Sequence, residues 1–189
     1  VQSELAKRFN VFALDMLGAG DSDKPPRDHY TIEDHAANIT AFMEAMHLPM
    51  ASVVGNSVGA TVAIQFALAN QYQVKKLVLI GCPVWTVQDG QQRLGEARKT
   101  GYDEKGLPRA RSLEETQKTM PTATKDLVAT MNAIRAKSGV WALKTMEALA
   151  EFDVPSRLAG IRFPTLILYG ERDAIGDKKE YLQQKIRAS

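Results

Sequence analysis

Cysteine and histidine are the scarcest reactive residues of this chain, with one and three copies respectively. A single cysteine, Cys82, excludes an internal disulfide and a thiolate metal cluster. Placed just after the apolar run Leu77 to Ile80, it reads as a small buried hydrophobe rather than a reactive thiol. Three scattered histidines make no metal site, and the chain has neither H-E-x-x-H nor a Walker A pattern, so no metal and no organic cofactor are expected. Long apolar runs are also missing. The longest are about strand length, far short of the roughly 20 residues needed to cross a bilayer, and the N-terminus lacks a signal-peptide pattern. No membrane span is therefore expected, and a cytoplasmic, reducing compartment is favoured. A large charge of either sign is absent too: the net charge is +2 and basic residues are interleaved with acidic ones, so no nucleic-acid partner is expected. Internal repeats and low-complexity segments are lacking, and the oligomeric state is not legible.

What is present is ordinary globular composition, 44% apolar and 24% charged over 189 residues, enough for one domain with a core. Four short apolar runs punctuate it: Val11 to Leu14, Ser52 to Val54, Leu77 to Ile80 and Leu166 to Tyr169. They lack in-out alternation, so both faces of each strand should be covered, as in a parallel sheet between helices. Between the first two runs lies a helix with a clear start, because Thr31-Ile32-Glu33-Asp34 forms a capping box and Ile39, Phe42, Met43 and Met46 recur at helical spacing. A second helix, Val58 to Asn70, separates the second run from the third. Repeated strand-helix-strand units imply right-handed crossovers and an α/β fold with a doubly wound, mostly parallel sheet.

That rhythm breaks between Trp85 and Ser156, where helical patterns occur without a convincing strand. We expect helices over Lys125 to Ala136 and Trp141 to Phe152, with breaks at Asp89-Gly90, Gly101, Gly106-Leu107-Pro108 and Gly139. Residues 1–84 and 157–189 would then form the core, and 85–156 a helical cap over the edge where ligands bind in open α/β sheets. Met120, Met131, Met146, Trp85 and Trp141 could line an apolar pocket beneath that cap or could be plain packing. Between positions 85 and 150 there are 11 Lys plus Arg against 8 Asp plus Glu, too small an excess to indicate an anionic substrate.

The chemistry is concentrated at Gly55-Asn56-Ser57-Val58-Gly59, a G-x-S-x-G pattern with a strand before it and a helix after it. A sharp strand-to-helix turn lifts one hydroxyl out of the sheet, which makes Ser57 the candidate nucleophile and asks for glycine at the flanking positions. Asn56 completes the turn, and the Val58 N–H, at a helix N-terminus, would point at a developing oxyanion. A serine nucleophile needs a base, and the base needs an acid to orient it. Asp173 follows the run Leu166 to Tyr169 through Gly170-Glu171-Arg172 and is the preferred acid over Glu171 and Asp177.

Together with Asp15-Met16-Leu17-Gly18-Ala19-Gly20-Asp21-Ser22 and Pro164-Thr165-Leu166-Ile167-Leu168-Tyr169-Gly170-Glu171-Arg172-Asp173, the elbow makes the chain resemble an α/β-hydrolase. The likeness spans nearly the whole chain apart from the cap. The loop from Asp15 lacks the third glycine of a dinucleotide fingerprint and runs into Asp23-Lys24-Pro25-Pro26, so Gly18, Gly20 and Ser22 are read as structural. The resemblance implies a catalytic histidine after the acid, yet His29, His35 and His47 all precede Ser57 and read as surface or helix-terminal residues. It also implies a second oxyanion donor before Val1. One economical expectation covers both gaps: the sequence is an internal fragment, with an incomplete α/β-hydrolase fold and an unfilled place in its sheet. The leading functional expectation is a serine hydrolase, esterase-like, acting on an ester or activated carbonyl of a small, apolar molecule. A carbon–carbon bond hydrolase is the alternative within the family, because Gly55-Asn56-Ser57 also resembles that subfamily. A non-catalytic protein that binds a ligand or partner is the alternative outside it.

Overall fold

The structure is a computed structural model that describes residues 2–171, 173 and 175–186. Val1, Arg172, Ala174 and Arg187 to Ser189 lie outside the described residues. Three strands, β1 (Ala51–Asn56), β2 (Val74–Ile80) and β3 (Thr165–Leu168), form a wholly parallel sheet in the order β1-β2-β3. The helices are α1 (Gln2–Leu5), α2 (Ile32–Ala45), α3 (Val58–Ala69), α4 (Val87–Gly101), α5 (Leu113–Gln117), α6 (Lys125–Ser138), α7 (Trp141–Ala150), α8 (Val154–Arg157) and α9 (Lys179–Lys185).

Local signals place most of these elements. Thr31 and Asp34 make the reciprocal capping bonds at the start of α2, and α6 and α7 fall where helical spacing puts them. The break expected at Asp89-Gly90 is not one. Thr86 and Asp89 form a capping box that starts α4, so Asp89 is its N3 residue. Gly90 is there for packing: a Cβ on it would lie 2.6 Å from the Ala150 carbonyl oxygen, so glycine allows α4 to cross α7 closely.

Only three of the four apolar runs become strands. Val11 to Leu14 has no strand assignment and no backbone hydrogen bond among the described residues, and Phe12 instead meets Phe42 of α2 edge-on at 5.5 Å. An apolar run has the side chains for a strand, but strand formation also needs a neighbouring backbone to satisfy its N–H and C=O groups. The outer edge of β1 is likewise unpaired among the described residues.

The sheet is two-sided in composition but not in coverage. Gly55 faces α3, and with it the register aligns Leu79 and Ile167 on the face that carries the core, where Leu77 and Leu79 are fully buried with Ile64 and Phe66. The alternate row, Val54, Val78 and Leu166, points the other way. There Val54 is 58% and Leu166 54% exposed, and Leu168 in the next row is 42% exposed. The expectation that both faces are covered therefore fails here. An apolar run reports that a strand tolerates burial on both sides, not that a covering element is present.

The loop from Asp15 to Ser22 has the structural role read from its glycines. Gly18 and Gly20 both have positive φ, and a Cβ on Gly18 would lie 2.0 Å from the Trp141 ring. The Ser22 hydroxyl donates to the Asp15 carbonyl at 2.7 Å, the Gly20 N–H reaches Ser138 Oγ at 3.4 Å, and Lys137 pairs with Asp21. This loop thus seats the junction of α6 and α7, with the Trp141 ring tilted against Tyr30 at 4.5 Å between centroids. Trp141 is a packing residue, while Met120 is exposed.

The uncovered row of Val54 and Leu166 should make the chain associate with itself, since each such side chain gains about 1.5–3 kcal/mol on full burial. Replacing both by lysine is expected to lower the weight-average mass in sedimentation velocity while leaving the melting temperature nearly unchanged. Unaltered association in the double variant would show that this face is not the adhesive one.

Candidate active site

The turn from β1 to α3 is built around one close approach. A Cβ on Gly55 would lie 2.2 Å from the Gly59 carbonyl oxygen and 2.6 Å from the Ala60 Cα, so no other residue fits without moving the helix. Gly59 behaves differently from the expectation for a flanking glycine. A Cβ there meets nothing within 4 Å among the described residues, because its missing side chain points away from the strand. The steric demand of the motif rests on Gly55, and it is Ala60 and Ala63, both buried, that let α3 lie close to the sheet.

Ser57 sits between strand and helix with φ +53° and ψ −124°, a left-handed backbone that a non-glycine residue adopts only when its surroundings force it. Two backbone bonds do so: Ser57 N–H donates to the Ile80 carbonyl at 2.9 Å, and the Ser57 carbonyl accepts from Ala60 N–H at 2.8 Å. The side chain is exposed, and its hydroxyl does not cap α3. Val58 is the first residue of α3, in the turn where helix N–H groups lack intrahelical acceptors. Strain at an exposed serine beside a helix N-terminus is the arrangement that serves a nucleophile and an oxyanion donor.

Asp173 lies beyond the C-terminal end of β3, in a turn closed by its own N–H donating to the Gly170 carbonyl at 3.0 Å. Its Oδ1 accepts from Ile175 N–H at 3.1 Å. The other oxygen faces Gly81, where a Cβ would lie 3.1 Å from Asp173 Oδ2 and 3.9 Å from Asn56 Oδ1. The parallel ladder thus brings the ends of all three strands to one edge, with Gly81, φ +53°, beside both Asn56 and Asp173. Sequence reasoning passed over Gly81. The available signal was Gly81-Cys82-Pro83 directly after an apolar run, a tight turn at a strand's C-terminal end. Of the rejected acids, Glu171 is exposed and Asp177 pairs with Lys178 at 3.0 Å.

No histidine joins this pair. His29 pairs with Glu151 at 3.3 Å, and His47 ends α2 with φ +52°. His35, read from sequence as a surface or helix-terminal residue, is instead only 3% exposed, with its Nδ1 unpartnered among the described residues. Burial lowers its pKa against a smaller opposing effect from Asp34, so it stays neutral at physiological pH. No hydrogen bond connects any of the three to Ser57 or Asp173 among the described residues. Cys82 is fully buried, and its thiol is pushed up to about 12 by desolvation, which keeps it protonated and unreactive.

The profile of the alpha/beta hydrolase fold family matches residues 1–186. The chain belongs to the alpha/beta-hydrolase fold family. Among curated alpha/beta hydrolases, it is 27% identical over 203 residues to the AB hydrolase superfamily protein YisY of Bacillus subtilis, covering 99% of this chain and 74% of that protein. It is 35% identical over 81 residues to 2-hydroxy-6-oxo-2,4-heptadienoate hydrolase of Pseudomonas putida, a match covering 43% of this chain and only 29% of that protein. The crystal structure of the enol-lactonase of Burkholderia xenovorans superimposes with a TM-score of 0.77 at 21% identity, over 98% of this chain and 72% of that one, a likeness of fold. Two of the relatives it matches, each over 29% of the relative's own length, are named as hydrolases. Among the described residues, no helix is long and apolar enough to cross a membrane.

Two stability measurements check this geometry. Gly55→Ala should cost about 1–3 kcal/mol through overpacking, whereas Gly59→Ala should change stability by less than about 1 kcal/mol; similar urea midpoints for the two would contradict the contact at Gly55. Because Cys82 ionises at about 12 when folded against an ordinary 9.0, its contribution is intact below pH 9 and is lost as pH rises toward 12. Cys82→Ala should therefore flatten the alkaline fall in unfolding free energy.

Proposed function

We propose that this chain carries the nucleophile and the acid of a serine hydrolase acting on an ester or activated carbonyl of a small, apolar molecule. The observation that carries the reading is Ser57, exposed and held at φ +53° by the Gly55 contact directly before a helix N-terminus. Ser57 Oγ attacks the carbonyl carbon while a histidine takes its proton, giving a tetrahedral oxyanion that the Val58 N–H stabilises. Collapse of that intermediate expels the leaving group, which receives the proton from the imidazolium, and water then repeats the sequence to release the acid. Asp173, its Oδ1 fixed by Ile175 N–H, orients the imidazole and stabilises its charged form. His29, His35 and His47 are placed elsewhere, so in this reading the base comes from outside residues 1–189. The helices from α4 to α7, lying between β2 and β3 in sequence, act as the cap over the strand ends. The chemistry needs no cofactor, and a cytoplasmic setting suits a chain with one buried thiol.

A second reading within the same machinery, hydrolysis of a carbon–carbon bond next to an activated carbonyl, is favoured by the names of two relatives, 2-hydroxy-6-oxo-2,4-heptadienoate hydrolase and 2-hydroxymuconate semialdehyde hydrolase, at 35% and 38% identity over 81 and 84 residues. Both readings use Ser57 and Asp173 identically and differ in the leaving group.

In the protein encoded by the complete reading frame, a fluorophosphonate probe should label the wild type and fail to label Ser57→Ala, and Asp173→Asn should slow turnover of a p-nitrophenyl ester by about 10³-fold or more. Labelling that persists in Ser57→Ala would sink the assignment. A wild type that binds an apolar ester without labelling or turnover would favour a non-catalytic binding protein.

A further inference from the structure

Lateral bonds tie the strands together beyond the last residues of the sheet. Ser57 N–H donates to the Ile80 carbonyl at 2.9 Å, and Gly81 N–H donates to the Leu168 carbonyl at 2.8 Å, so each strand end is braced by its neighbour. One position further along, backbone pairing stops, because Gly81 turns the chain at φ +53° and β3 gives way to the turn that carries Asp173. At that point a side chain takes over. The Tyr169 hydroxyl donates to the Cys82 carbonyl at 2.6 Å, across 87 positions of sequence.

The place of this bond gives it a consequence. Cys82 is fully buried and adjoins Gly81, the residue on which a Cβ would lie 3.1 Å from Asp173 Oδ2 and 3.9 Å from Asn56 Oδ1. Tyr169 is four residues before Asp173 and packs against the core. One phenol therefore connects the chain leaving β2 to the chain leaving β3, at the level where the elbow and the acid face each other. Resting on the reading of Ser57 and Asp173 as nucleophile and acid, we infer that Tyr169 is a positioning residue: its bond to the Cys82 carbonyl fixes Gly81 between Asn56 and Asp173 and so sets the spacing of the reacting groups. Burial, with smaller effects from Cys82, Asp173 and Asp177, moves the phenol's pKa upward, so it remains a donor through the neutral range.

Tyr169→Phe removes the hydroxyl and leaves the ring. In the 189-residue chain, amide hydrogen exchange at Gly81 and Ser57 is expected to accelerate about tenfold or more, while amides of Ile64 and Phe66 in α3 keep their wild-type rates. In the protein encoded by the complete reading frame, kcat for a p-nitrophenyl ester should fall about tenfold at unchanged KM. Wild-type exchange at Gly81 and Ser57 would overturn the inference. So would a uniform rise in exchange over sheet and helices with a matching loss of melting temperature, the signature of a residue that only stabilises the fold. Persistent fluorophosphonate labelling of Ser57→Ala would instead remove the nucleophile on which the inference rests, an outcome read separately from exchange at Gly81.

Discussion

The turn at Ser57 depends on the close approach between Gly55 and the first turn of α3. With no Cβ on Gly55, the carbonyl of Gly59 and the Cα of Ala60 come down against the strand, closer than any side chain would permit. That contact makes the strand-to-helix turn sharp, and the sharp turn leaves Ser57 at φ +53° with its hydroxyl outside the sheet. The strain is held from both sides, by Ile80 through the ladder and by Ala60 through the helix. Tight packing of Ala60, Ala63 and Ala67 against β1 and β2 is what makes the cost affordable, since small side chains let the helix approach and larger apolar ones behind it fill the core.

The second organising feature is the direction of the strands. In a parallel sheet all carboxyl ends lie on one edge, so residues far apart in sequence meet there without any further device. Asn56, Gly81 and Asp173 come from three different strand ends, and a Cβ on Gly81 would lie within 4 Å of both Asn56 Oδ1 and Asp173 Oδ2. The same ladder has a cost on its other side. Its uncovered row, Val54 and Leu166, and its unpaired β1 edge are features that folded domains usually bury or block with charge. The loop from Asp15 to Ser22 links the two halves of the architecture, seating Trp141 on Gly18 and leaving the helices after β2 anchored to the N-terminal part of the chain.

Legibility followed the range of the interaction. The capping box of α2, the helices over α6 and α7, the strand-to-helix turn at Ser57 and the turn after β3 that carries Asp173 are all written within a few neighbouring residues. Thr86 and Asp89 are equally local, but glycine at position 90 has the residue type of a break and is a crossing point of two helices. Val11 to Leu14 has strand-like side chains and forms no strand, since pairing depends on a partner that a run of residues cannot announce. His35 carries the pattern of a helix's first turn and is buried because of what packs over α2.

The sequence by itself determined the chemistry on offer: a serine flanked by glycines at a strand-to-helix turn, a carboxylate after a later strand, and no histidine following it. These are covalent facts and short-range conformational preferences, fixed by residue type and spacing. Tertiary structure decided which glycine the turn requires, which face of the sheet is covered, that Gly81 lies beside both Asn56 and Asp173, and that the Tyr169 hydroxyl reaches the Cys82 carbonyl. Those outcomes depend on side-chain volume and hydrogen-bond partners arriving from distant segments, and only the packed chain brings them within contact distance.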